Sequence, residues 1–218
     1  MRVARPEPRG RPLLALLALV PLAACSPYAD AERDVAAGGR GLAKLNPAPK
    51  QAYELVLTLK DAPGPFAIVE GVAQYDVSNY EDCGRILPAT GTAGRITSQE
   101  PVTLHKVSEN EYRGTFYLDR TLDEDYYGRG ACVWTLTGVG AMLRATTSKA
   151  DTRFLTFVDK KRMENDSPLT LYYPNLVYPR ADTVANFGAS GEEAPSGYSE
   201  DLRDALFSTT TTVQKLTP

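Results

Sequence analysis

The chemistry open to this chain is concentrated in two short runs where carboxylates adjoin tyrosines. One is Tyr75-Asp76-Val77-Ser78-Asn79-Tyr80-Glu81-Asp82, which stops at Cys83. The other is Asp119-Arg120-Thr121-Leu122-Asp123-Glu124-Asp125-Tyr126-Tyr127-Gly128-Arg129-Gly130, which leads through Ala131 to Cys132. Carboxylates at this density either ligate a hard cation or steer a basic partner. An EF-hand loop asks for ligands at its fifth position and a bidentate Glu at its twelfth. Counted from Asp123 those positions are Tyr127 and Trp134, so that pattern fails. Asp119, Asp123 and Asp125 remain as the set for an irregular calcium site. As a protein-recognition edge, Tyr75, Tyr126, Tyr127 and Arg129 would give contact area, and Asp76, Glu81, Asp82, Asp119, Asp123, Glu124 and Asp125 the charge. The plainest alternative is a pair of solvated loops whose tyrosines pack inward.

Other chemistry finds little support. His105 is the single histidine and falls in Val102-Thr103-Leu104-His105-Lys106-Val107, where a solvent-facing strand position is expected. There is no Gly-x-Ser-x-Gly elbow and no Gly-x-x-x-x-Gly-Lys-Ser/Thr loop. Gly138-Val139-Gly140-Ala141-Met142-Leu143 starts like a dinucleotide loop but ends in Leu143, so a hairpin is expected there instead. Three Cys and one His exclude a Cys/His zinc cluster. A formal charge of −3 and a pI near 5.3 argue against nucleic-acid binding. The expectation is a protein without enzymatic activity or cofactor.

The N-terminus reads as an address. Arg2, Arg5, Arg9 and Arg11 precede Leu13 to Ala24, a run of 12 mostly apolar residues. A membrane-spanning helix needs about 20, so an export signal is the better reading. The run ends Leu22-Ala23-Ala24-Cys25, which closely resembles the bacterial lipoprotein signal. That resemblance implies cleavage after residue 24, lipid on Cys25 and anchorage of the chain in a membrane. Ser26 rather than Asp after the Cys implies the outer membrane, with the protein facing the periplasm or the cell surface. Losing residues 1–24 removes four Arg and Glu7, which takes the net charge from −3 to −6. With Cys25 consumed, Cys83 and Cys132 are left in an oxidising compartment and are expected to form one disulfide.

The elements that must position these groups are strands. Residues 25–50 are rich in Ala, Gly and Pro and read as a tether. Tyr53, Leu55, Leu57 and Leu59 then alternate with polar or smaller neighbours, the period of a half-buried strand. Further strands are expected over 66–77 (with Gly71 a bulge), 101–107, 112–119, 131–139, 141–147 and 152–159, with a late one near 169–173. About seven strands at hairpin spacing point to an all-β fold, an antiparallel β-sandwich with one disulfide, over 51–180. Residues 181–218 are expected to be loop, then a short helix from Ser199 to about Phe207, then a loose tail at Thr209 to Thr212. A Cys83–Cys132 link near Trp134 is similar to an immunoglobulin-type core. Trp134 follows the second Cys instead of lying between the two, so a sandwich without immunoglobulin topology is expected.

The layout as a whole resembles small Gram-negative envelope lipoproteins that act as immunity proteins against toxins of contact-dependent secretion systems. The shared features are the lipobox at Cys25, the tether, one disulfide-stapled β domain and Asp-Glu-Asp-Tyr-Tyr-Gly-Arg-Gly-x-Cys-x-Trp at 123–134. The resemblance implies a periplasmic protein partner, bound and inhibited. The alternative is an accessory lipoprotein supporting envelope structure or secretion assembly.

Overall fold

The computed structural model describes Met1 and residues 43–217. The signal segment 1–24, the lipidation site Cys25 and most of the tether lie outside the described residues. The last tether residues do not. Ala43 is buried, Leu45 bridges Thr121, and the Asn46 N–H donates to the Arg120 carbonyl at 2.8 Å. The folded unit therefore begins earlier than residue 51.

Among the described residues ten strands form two five-stranded sheets. They are β1 (Ala52–Lys60), β2 (Ile68–Val77), β3 (Thr97–Val102), β4 (His105–Ser108), β5 (Glu111–Tyr117), β6 (Trp134–Arg144), β7 (Arg153–Asp159), β8 (Leu169–Pro174), β9 (Gly188–Ala189) and β10 (Leu206–Lys215). Short helices occupy α1 (Tyr80–Cys83), α2 (Lys160–Glu164) and α3 (Glu200–Arg203). One sheet runs β4-β5-β1-β10-β8 and the other β3-β2-β6-β7-β9. All pairings are antiparallel except β7 with β9. The fold is the expected antiparallel sandwich with a disulfide. No helix among the described residues is long and apolar enough to cross a membrane.

Alternation puts Leu55, Leu57 and Leu59 of β1 inside. Phe66, Phe154, Tyr173 and Phe207 join them in an aromatic cluster with ring centroids 5.1–6.0 Å apart. These rings prefer tilted and edge-on contacts, which add to the burial of their area.

Five expectations change. The polar stretch Thr209 to Thr212 is not a loose tail but part of β10, between β1 and β8. Threonine is β-branched and suits a strand, and the inward hydroxyls find partners. Thr211 meets Thr156, and Thr209 lies 3.4 Å from the Tyr173 hydroxyl. The C-terminal helix is correspondingly short: Ser199 stands at its N-cap without a side-chain cap bond, and Phe207 belongs to β10.

Residues Gly138 and Gly140 do not turn the chain. They lie inside the 11-residue β6, which pairs with β2 on one side and β7 on the other. A Cβ on Gly140 would sit 2.0 Å from the Thr156 carbonyl oxygen, so glycine is there for close approach. The expected strand 101–107 is two strands, because Thr103 and Leu104 carry the chain from β3 in one sheet to β4 in the other. Finally, the register shift in β2 falls between Gln74 and Tyr75 and not at Gly71.

Candidate functional site

The two acidic–tyrosine runs do meet, at the end of the sandwich where β2 stops and β6 starts. Val77 pairs with Trp134, the last rung of that ladder. Beyond it the Ser78 N–H donates to the Val133 carbonyl at 2.9 Å. Asn79 then ties the segments twice: its amide nitrogen donates to the Ala131 carbonyl at 2.9 Å, and its oxygen accepts the Val133 N–H at 2.8 Å. One turn of α1 follows, and Cys83 closes onto Cys132 with a Cα–Cα distance of 5.3 Å. Arg129 reaches back across the junction to the carbonyls of Gly84 and Glu81.

The second run is held by its own carboxylates. Asp123 accepts the Trp134 N–H at 2.8 Å. Asp125 accepts the N–H groups of Tyr127 and Arg129 at 3.2 and 3.0 Å, a side-chain-organised turn. Gly128 and Gly130 follow at φ 72° and 106°, where glycine avoids the Cβ clash. Glu124 ion-pairs with Lys44, and its backbone bridges Cys132. Tyr126 donates its hydroxyl to the Leu122 carbonyl at 2.7 Å, accepts the Lys44 N–H at 3.0 Å, and sets its ring edge-on to Trp134.

These bonds shift the carboxyls. Desolvation pushes Asp125 up, but the N–H groups of Gly130, Arg129, Gly128 and Tyr127 outweigh it and hold the carboxyl below its usual range. Asp119 behaves likewise: burial raises it, and the N–H groups of Lys50 and Gln51 prevail and lower it.

The residues proposed for recognition therefore divide. Glu81, Asp82, Asp123, Asp125 and Arg129 are exposed at the disulfide-locked end. Tyr75 and Tyr127 are buried, and Tyr126 is half-buried, so the tyrosines are scaffold and not open contact area. Burial pushes the Tyr75 hydroxyl well up, and it donates to the Tyr117 carbonyl. Asp76 is engaged by Thr97, Thr137 and Gln74, and Asp119 is turned onto the Lys50 and Gln51 backbone. Asp119, Asp123 and Asp125 do not converge: among the described residues no three acidic, Cys or His side chains are grouped to hold a metal ion. Each is aimed at backbone N–H donors, which a cation would have to displace.

Sequence reasoning missed Asn79, whose short amide joins the two runs, and Tyr80, which carries the Arg95 guanidinium 6.0 Å above its ring. Asn79 precedes α1 but makes no side-chain cap bond; its amide is turned across to the 131–133 backbone, a long-range contact that local sequence does not signal. His105 lies exposed on β4, as its strand position implies.

Compared with protein-family models, curated proteins and solved structures, the chain finds no match.

Proposed function

We propose that this chain is an outer-membrane-anchored periplasmic lipoprotein that works as a protein-binding module and inhibits a basic partner, in the manner of an immunity protein. The observation that carries the reading is the rigid presentation of four exposed carboxylates. Glu81 and Asp82 stand on the one-turn helix α1 and Asp123 and Asp125 on the loop before Cys132, and the two segments are cross-tied by Cys83–Cys132, Asn79 and Arg129. Such segments are ordered before a partner arrives, so binding loses little conformational entropy. The carboxylates raise the encounter rate with a positively charged cleft. Arg129 ties this end together through the Gly84 and Glu81 carbonyls, and its single positive charge leaves the four carboxylates in excess.

The test is capture of envelope proteins by the mature protein and by a Glu81→Gln, Asp82→Asn, Asp123→Asn, Asp125→Asn variant. The amides keep the acceptor oxygens that organise the loops. A basic protein held by the wild type and released by the variant supports the reading. Equal capture at low salt, where steering is strongest, removes the acidic end from the account.

A further inference from the structure

Sheet edges carry unpaired N–H and C=O groups that another chain can complete, and folds usually blunt them. Here several are blunted. Pro101 interrupts the donors of β3, and β9 is two residues long. Tyr172 of β8 exchanges backbone bonds with Glu192 at 2.8 and 3.1 Å. Three stretches stay open among the described residues: the outer side of the four-residue β4, β7 beyond Phe154, and the half of β5 that β4 leaves uncovered, which borders a groove. His105, Lys106 and Ser108 of β4 pair only with Arg113, Tyr112 and Glu111. From Gly114 to Tyr117, β5 runs on with no strand beside it on that side among the described residues.

Which groups face outward follows from the ladder. Leu118 donates its N–H to the Gln51 carbonyl, toward β1. Antiparallel pairing alternates, so Phe116 and Gly114 also face β1, while Thr115 and Tyr117 face the open side. The Tyr117 carbonyl is already held by the Tyr75 hydroxyl. The N–H and C=O of Thr115 and the N–H of Tyr117 remain for an incoming chain.

A groove of about 550 Å³ opens along this half-edge. That is within the roughly 300–1,000 Å³ of ligand sites. Val102 and Phe116 give it apolar wall, and Glu100, Arg113 and Arg120 give it charge. Arg113 is committed to Glu54 and Glu111. Arg120 has no carboxylate within ion-pair distance among the described residues, and its guanidinium is the cation left to meet a ligand.

We propose that the open half of β5 and this groove bind an extended peptide segment, which adds to the sheet in line with β4 and sets an Asp or Glu side chain against Arg120. Only an extended backbone matches a row of strand donors and acceptors, and a side-chain contact beside it supplies specificity. An Arg–carboxylate pair adds directional, charge-assisted hydrogen bonds. The site is independent of the acidic end, and it asks for the opposite charge.

The experiment pans a displayed library of random octapeptides on the mature protein, then uses the enriched sequences as synthetic probes. Enrichment of acidic peptides with alternating apolar residues is expected. They should slow hydrogen exchange of the Thr115 and Tyr117 amides by about tenfold or more, without changing Phe116. Arg120→Ala should weaken binding by about tenfold, and Thr115→Pro, which removes an outward N–H and no β1 bond, should abolish it. Because Thr115→Pro tests the fold as well, the exchange measurement on the unmutated protein stands by itself. No enrichment, protection at other amides, or affinity indifferent to Arg120→Ala overturns the proposal. Basic peptides released by the carboxylate variant above would also overturn it, while supporting the acidic end as a binding surface.

Discussion

The hydroxyls of Thr156 in β7 and Thr211 in β10 meet at 2.8 Å between the two sheets, with both side chains buried. Each gives the other its hydrogen-bond partner inside the core. The pair explains how a polar-looking strand lies in the interior of a sheet, between β1 and β8.

Replacing one member should therefore hurt more than replacing both. Thr211→Val leaves the Thr156 hydroxyl unsatisfied and should cost about 1–3 kcal/mol. The Thr156→Val, Thr211→Val double variant should recover most of that loss. Urea unfolding of the wild type, Thr156→Val, Thr211→Val and the double variant gives the coupling directly; additive losses would show that the hydroxyls do not depend on one another.

The Cys83–Cys132 bridge closes a separation of 49 residues, worth roughly 4 kcal/mol in the chain-entropy account. Removing both cysteines by Ala substitution should lower stability by about 2–5 kcal/mol. The midpoint of chemical unfolding measures it, and an unchanged midpoint would mean that Asn79 and Arg129 hold the loops unaided.

Two tyrosines should act on stability and not on partner capture. Tyr127 is 5% exposed, so Tyr127→Ala should cost about 3 kcal/mol. Tyr126→Phe removes the bond from its hydroxyl to Leu122 and the one it accepts from Lys44, for about 1–2 kcal/mol. Calorimetry should find both losses. Binding that falls at a temperature where both variants are folded would return these side chains to the contact surface.

Asp151 makes the fold acid-sensitive. Its carboxylate accepts the Thr146 hydroxyl and N–H at 2.5 and 3.1 Å and an Arg180 nitrogen at 3.3 Å. The Thr146 hydroxyl lowers its pKa; burial opposes this, and Arg180 adds to the lowering. A carboxyl depressed in the folded state stabilises the protein above the unfolded value, about pH 4, and loses that contribution as the pH falls toward the folded value. Melting temperature should hold down to about pH 5 and then drop. In Asp151→Asn it should start lower and drop less steeply; parallel curves would assign the acid transition to other groups, Asp119 and Asp125 first.

Lipidation is tested at Cys25, from the Leu22-Ala23-Ala24-Cys25 motif. Cys25→Ala should move the protein out of the membrane fraction, or leave it unprocessed at higher mass. A variant that matures normally and still sediments with outer membrane would refute the lipid anchor.

Much of the sandwich is legible in the sequence, because alternation reports which strand face is buried. Leu55, Leu57 and Leu59 show it, as do Cys132, Trp134 and Leu136. The pairing of Cys83 with Cys132 is legible if Cys25 is read as the lipidation site, because two cysteines are then left. What stays hidden depends on partners distant in the chain. Thr209 and Thr211 look solvated until β7 and β8 supply Thr156 and Tyr173. Gly140 has one spelling for two uses, a turn or a close approach, and only Thr156 beside it decides. The sheet change at Thr103-Leu104 leaves no mark in composition. The convergence of the two acidic runs is legible, since it follows from the disulfide. The burial of Tyr75 and Tyr127 is not, because a tyrosine beside carboxylates suits either side of a surface.

The pairing of β1 with β10 has a consequence for how the molecule comes into being. Tyr53 lies opposite Lys215, and Lys60 opposite Ser208. The middle of one sheet thus joins the earliest strand to the latest, across almost the whole domain. Until Leu206–Lys215 has been made, β1 has β5 on one side and a vacant edge on the other, and β8 has no neighbour within the sheet. Local hairpins can form as the chain grows, but closure waits for the final strand, and pairing over such a separation is slow. A nascent or truncated chain would carry Leu55 and Leu57 unsheltered beside an open edge, the condition in which a β protein most needs a holding chaperone.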